Sequence, residues 1–276
     1  NHAQGWPYFT EHLVLATPDN GVATAIYAAC KATVKVGDGK EITLHEETNY
    51  PFEEGIAFTV STDEKVAFPF YLRIPSWTQK AEVRVNGKKV SAAPVAGKYL
   101  CINREWANGD RVELTLPMSL SMRTWQVNKN SVSVDYGPLT LSLKIAEKYV
   151  EKDSRETAIG DSKWQKGADS KKWPTTEIYP DSPWNYSLVL DKKEPLKNFK
   201  VIRKSWPADN YPFTVASVPL EVKAIGRPVP EWKIDETGLC GVLPEEDAVK
   251  GDKEEITLIP MGAARLRISA FPNTKE

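Results

Sequence analysis

Adjacent glutamates, Glu46/Glu47, Glu53/Glu54 and Glu245/Glu246 among them, come nearest to acid–base chemistry in this sequence. Two carboxyl groups flanking a glycosidic bond can cleave it, one as general acid and the other as nucleophile or base. Neighbours on a strand point to opposite faces, however, so no pair can serve one sugar without a break in the backbone. The pairs read as solvated edges or loops. Cys30, Cys101 and Cys240 stand dozens of residues apart without metal-ligand or redox spacing, and His2, His12 and His45 have no His or Cys partner at helical or finger-like spacing. No metal site is expected in the chain. Cys30 and Cys101 sit in strand-like contexts, where a free thiol behaves as a small buried hydrophobe, whereas Cys240, between Gly238 and Gly241, falls on a turn. There is no nucleophile elbow, no zincin helix and no phosphate-binding loop, and Gly37-Asp38-Gly39 is a turn with no helix behind it.

Nine Trp and ten Tyr are the compositional feature that leans towards binding. An aromatic face packs on the C–H patches of a sugar ring while nearby polar groups bond its hydroxyls. Trp77, Trp106 and Trp125 read as core anchors, since Trp is highly buried on average. Trp164, Trp173 and Trp184 punctuate a polar stretch near 150–185 that lacks periodic apolar residues, a long loop in which they either touch sugar or pack.

The elements that must position these residues are strands. The chain has 276 residues, 41% hydrophobic and 26% charged, enough apolar material for a packed core and a length that favours two medium domains. A formal charge of −1 gives no bulk attraction to phosphate backbones or anionic lipid, so neither nucleic acid nor membrane is an expected partner. No apolar run approaches a membrane span, and the first residues lack the basic and apolar regions of a signal peptide. A first residue of Asn rather than Met marks the chain as a processed product, a trimmed piece or a fragment. The compartment therefore stays open, periplasm and cell exterior included.

Residues 8–17 have the apolar spacing of a short amphipathic helix, ended by Pro18-Asp19-Asn20-Gly21. Beyond them the period changes to two. Residues 81–85 alternate into Asn86-Gly87, the two-residue signal of a type I′ hairpin, and residues 111–117 alternate after Asn108-Gly109-Asp110. Further strands are expected at 22–36, 41–46, 56–60, 66–74 and 98–104, then at 131–145, 186–190, 199–204, 219–225, 254–260 and 264–271. The expected fold is all-β: two consecutive β-sandwich domains with a short helical remnant at the N-terminus, the remnant spanning 1–25, the first sandwich 26–128 and the second 129–276.

Seven phrases in order, TNYPF at 48–52, FPFYLRIPSW at 68–77, VRVNGK at 83–88, INREWANGDRVELTLPM at 102–118, YGPLTLSLKI at 136–145, YPDSPWNYSLVL at 179–190 and LIPMGAARLRISAFP at 258–272, resemble the C-terminal part of glycoside hydrolase family 127, the β-L-arabinofuranosidase-like family. The resemblance implies a helical (α/α)6 catalytic barrel before two β-sandwich domains, with residues 1–25 as the remnant of the barrel's end. It also implies a cysteine nucleophile in a zinc site of three cysteines and a glutamate, with a second glutamate as acid/base. None of those motifs matches here, and Cys30, Cys101 and Cys240 do not stand in their place. The resemblance thus implies that the chain alone is inactive, that the missing barrel is its partner and carbohydrate the ligand, and that zinc belongs to the barrel. Asn1, His2 and Gln4 would then lie near the pocket rim, and Trp164, Trp173 and Trp184 on a loop lining the pocket. The competing expectation is an independent carbohydrate-binding or purely structural β-sandwich.

Overall fold

A computed structural model of the chain describes residues 4–153, 169, 171–245 and 251–276. The described residues are all-β apart from one short helix and a 3-10 turn, and the chain divides into two units. Unit 1 comprises Asn1–Ser119 with Tyr136–Pro138, and unit 2 comprises Leu120–Asp135 with Leu139–Glu276.

Unit 1 opens with α1 (Gly5–Glu11) and continues through β1 (Val14–Ala16), β2 (Val22–Thr24), β3 (Cys30–Val36), β4 (Lys40–Thr48), β5 (Gly55–Ser61), β6 (Val66–Arg73), β7 (Glu82–Val85), β8 (Lys88–Lys89), β9 (Tyr99–Trp106) and β10 (Arg111–Thr115). These strands form a four-stranded sheet in the order β1-β2-β6-β9 and a six-stranded sheet in the order β3-β4-β5-β10-β7-β8. The two sheets face each other as a sandwich. Period-two patterning explains why: β6 buries Val66, Phe68, Phe70 and Leu72, and β5 buries Ile56, Phe58 and Val60. Phe58 and Phe70 meet edge to face across the sheets at 5.4 Å. Trp106 is fully buried, its indole donating to the Phe68 carbonyl at 3.0 Å. Asn86 and Gly87 both adopt positive φ, which is the type I′ turn that their identities predict between β7 and β8.

The N-terminal helix differs from its expected place. It runs over Gly5–Glu11, buries none of its residues, and gives way to β1 within the stretch read as helical. The turn at Pro18–Gly21 pairs Val14–Ala16 with Val22–Thr24, and ladder hydrogen bonds there replace a helix too short to hold itself. Gly21 has a steric reason of its own, because a Cβ at that position would collide with the carbonyl oxygen of Pro69.

Unit 2 contains β11 (Leu120–Trp125), β12 (Ser131–Tyr136), β13 (Leu139–Leu143), β14 (Glu147–Lys152), β15 (Thr175–Pro180), β16 (Tyr186–Leu190), β17 (Lys200–Arg203), β18 (Leu220–Pro228), β19 (Glu254–Pro260) and β20 (Asn273–Lys275). An eight-stranded sheet follows the order β11-β12-β13-β19-β18-β16-β20, with β17 also on β18, and β14 and β15 form a separate two-stranded ribbon. The segment 131–145 is two strands rather than one, since Gly137 at positive φ turns the chain between β12 and β13. Residues 264–271 are not a strand. Their buried positions, Ala264, Ile268 and Phe271, do not alternate; Ile268 donates its N–H to the Ser142 hydroxyl, and only Phe271 bridges to Val132.

Candidate functional site

Three regions bring polar or aromatic groups together. The first is one end of the unit 1 sandwich, where Tyr27, Cys30, Glu46, Tyr50 and Arg73 converge. Glu46 follows Ile42 and Leu44 on the inward face of β4 and is 1% exposed. Cys30, its register partner on β3, offers Sγ at 3.9 Å from Glu46 Oε2, and Glu46 Oε1 has no hydrogen-bond partner. Burial raises the Glu46 carboxyl to about 8, against a weaker opposite pull from the Ala28 backbone N–H and the thiol. Burial, reinforced by Glu46, lifts the Cys30 thiol to about 11. The Tyr27 hydroxyl donates to the Arg73 carbonyl, Tyr27 and Tyr50 meet edge to face at 5.9 Å, and burial raises both phenols. Arg73 is engaged by the Ala25 carbonyl at 2.6 Å and lies over the Tyr27 ring. Burial thus favours the neutral forms of Tyr27, Cys30, Glu46 and Tyr50. The cluster can store a proton; it offers neither a thiolate nor a free base for attack.

The second region is the outward side of unit 1. Trp6 (59% exposed), Tyr8 (66%) and Phe9 stand out from α1, with Trp6 and Phe9 edge to face. On the four-stranded sheet the register places Leu15, Ala23, Tyr71 and Cys101 in one lateral row, beside exposed Tyr99. An open apolar groove of about 550 Å³ runs over Ala23, Tyr71 and Tyr99, and the Tyr71 hydroxyl donates to Asp19 Oδ2 at 2.5 Å at its rim. Hydrogen bonds from Thr17 and Tyr71 hold the Asp19 carboxyl below its ordinary value. A separate groove of about 620 Å³ crosses the six-stranded sheet among Glu47, Glu53, Arg84, Arg111 and Glu113. Arg111 there pairs with Glu47 and Glu113, both at 3.4 Å, as on an ordinary solvated sheet face.

The third region is the β14–β15 ribbon of unit 2. Tyr149 donates to Glu147 at 2.5 Å and Tyr179 to Glu177, each ring exposed beside a carboxylate. The register Tyr149↔Ile178 and Lys148↔Tyr179 puts the two pairs on opposite faces. Trp173, just before the ribbon's second strand, is 65% exposed.

Of the residues singled out from sequence, Asn1, His2 and Trp164 lie outside the described residues. Gln4 is exposed at the start of α1. Trp173 and Trp184 are not equivalent: Trp184 is half-buried and packs edge to face on Trp232 at 5.2 Å. Trp106 is a core anchor and Trp77 packs half-buried against the same core, but Trp125 is 40% exposed beneath Arg123, donating to Ser133. Cys101 is exposed and Cys30 only half-buried, against the core reading, because Cys101 occupies an outward position of β9 and Cys30 an edge strand. Cys240 is exposed. Among the described residues no three His, Cys, Asp or Glu side chains lie close enough to hold a metal ion, and Cys240 belongs to a different unit from Cys30 and Cys101. The described residues therefore do not fit the zinc set that the resemblance implies. Sequence reading missed Glu46. Its signal was the alternation Ile42, Leu44, Glu46, which places a carboxyl on the buried face.

Residues 21–118 match the family model described as "Beta-L-arabinofuranosidase, GH127 middle domain". No curated protein matches the sequence. Among solved structures, Ara127N, a GH127 β-L-arabinofuranosidase from Geobacillus stearothermophilus T6, superposes with a TM-score of 0.63 at 21% identity, over 99% of this chain and 37% of that one. A glycoside hydrolase gives 0.60 at 22% identity, over 93% of this chain and 36% of its own. A GH127 β-arabinofuranosidase gives 0.59 at 22% identity, over 94% and 36%. The chain thus spans little more than a third of the length of the structures it matches. Residues 21–118 align this chain with the middle domain of glycoside hydrolase family 127, and the chain shares the fold of the corresponding third of such proteins.

Proposed function

We propose that this chain is the non-catalytic, C-terminal β portion of a longer glycoside hydrolase of the family 127 kind, which braces a catalytic barrel and lends a loop to its pocket. One observation carries the reading: the middle-domain match fills unit 1 almost to its end at Ser119, in a chain that spans 37% of the Ara127N chain. The exposed aromatics of α1 and the Tyr71–Tyr99 groove are the docking face in this reading, since an apolar surface of that kind marks an interaction site. Hydrolysis of L-arabinofuranosides, the zinc and its thiolate nucleophile then belong to the part of the longer protein outside this chain. The ribbon, with Tyr149, Trp173 and Tyr179, is the candidate sugar-facing element of unit 2.

Those same exposed rings favour the second reading, an independent carbohydrate-binding module. One experiment separates the two. The polypeptide of the full reading frame and this chain alone are compared on a chromogenic L-arabinofuranoside and by affinity electrophoresis on arabinan. Hydrolysis by the longer polypeptide alone, with no retardation of this chain, is the expected result. Hydrolysis by this chain would overturn the proposal, and retardation abolished by Trp173→Ala would replace it with the binding module.

A further inference from the structure

The interior carboxyl of Glu46 has a property independent of any glycosidase role. Its side chain points into the sandwich from β4, opposite Phe58 on β5, with Oε1 unbonded, Oε2 facing a thiol and the Ala28 backbone N–H as the carboxyl's other donor. The titratable and charged groups around it are Cys30 from β3, Tyr27 from the segment before β3, Tyr50 from the segment after β4, and Arg73 from β6. Arg73, the cation among them, donates through Nε to the Ala25 carbonyl and lies over the Tyr27 ring, and its field favours ionisation of the two phenols. Among the described residues no ion pair joins a cation to Glu46, and burying an uncompensated carboxylate is strongly unfavourable.

We propose that the proton on Glu46 is a latch for this end of unit 1: with it, the neutral carboxyl stays packed between β3 and β5, and its loss loosens β3 and the Tyr27 segment from β4. The sign follows from linkage. The carboxyl is raised from 4.5 to about 8 in the fold, so between those values the folded state holds a proton that the unfolded state has released. Stability from this group is complete below 4.5, falls as pH rises through the window, and changes no further above about 8. The opening reaches the edge strand that carries Cys30, so the thiol reports it.

The test uses the full chain and its Glu46→Gln variant. Urea unfolding of unit 1 is followed between pH 5 and 9 by the mass of Cys30 peptides after a pulse of thiol label at one common pH. In the wild type the unfolding constant should rise by up to about tenfold per pH unit and level off near the upper end, while the variant lacks that slope. Equal slopes in both proteins would overturn the proposal. Should the variant fail to fold, the 13C shift of the Glu46 carboxyl in the wild-type chain decides. A titration midpoint far above the ordinary glutamate range supports the latch, and one within that range removes it.

Discussion

Trp106→Ala should destabilise unit 1 by about 3–5 kcal/mol, the usual cost of emptying a large aromatic site in a core. Trp106 sits at the end of β9 with no exposure, packed against Phe68 at 5.7 Å and Phe70 at 5.9 Å between ring centroids. Its N–H satisfies the Phe68 carbonyl, and Arg104 covers the ring at 5.0 Å. Removing the side chain opens a cavity between two rings that belong to the same strand and cannot both collapse into it. Trp106→Phe keeps most of the apolar volume but loses the indole's hydrogen bond to the Phe68 carbonyl, so a loss of about 1–2 kcal/mol is expected. Urea midpoints of the unit 1 transition check both values. A loss below about 1 kcal/mol for the alanine variant would show that the two sheets are not held by this centre.

Trp232→Ala should be nearly as costly, by about 3 kcal/mol, and its effect should be confined to unit 2. Trp232 is buried, packs edge to face on Trp184, and donates its indole N–H to the Gly241 carbonyl at 3.0 Å. Asn185 supports the same loop, its amide donating to the carbonyls of Val229 at 2.9 Å and Trp232 at 3.1 Å. The Asp235 carboxylate closes the tip by accepting from Thr237 and Leu239. This arrangement presents Ile234, Leu239 and Val242 to solvent, so they depend on Trp232 for order rather than on burial of their own. Limited proteolysis gives the readout: cleavage within residues 233–242 should accelerate in Trp232→Ala while peptides of unit 1 are unaffected. Unchanged cleavage would mean that the loop is held by Asn185 and Asp235 without the indole.

Much of the architecture was legible because strands announce themselves by alternation and turns by chemistry. Asn86-Gly87 fixes a hairpin since both residues tolerate positive φ, and β5, β6 and β10 bury every second residue as their patterns require. Harder to read were positions where tertiary pairing overrides local pattern. The helical spacing of residues 8–17 yields to a β1–β2 ladder, and ARLRISAF has strand composition without a strand's alternation of burial. Function-bearing positions were harder still. The pair Glu46/Glu47 was read as one solvated unit, yet a strand sends its members to opposite faces, one into the core and one to Arg111. For Cys101, context gave the strand but not which of its faces was wet. Trp184 and Trp173 shared a polar segment, and only the position of Trp232, far along the chain, separates the packed ring from the exposed one.

The claim that this chain braces a larger enzyme through the outward face of unit 1 is tested most directly by hydrogen exchange. Backbone amides are compared between this chain alone and the polypeptide of the full reading frame. Slower exchange is expected in the longer polypeptide over α1 and β1, where Trp6, Tyr8, Phe9 and Leu15 now face solvent, and along β9 beside Tyr99. Identical exchange over these segments in both polypeptides would contradict it, because a docking face cannot be covered without protecting the backbone that carries it.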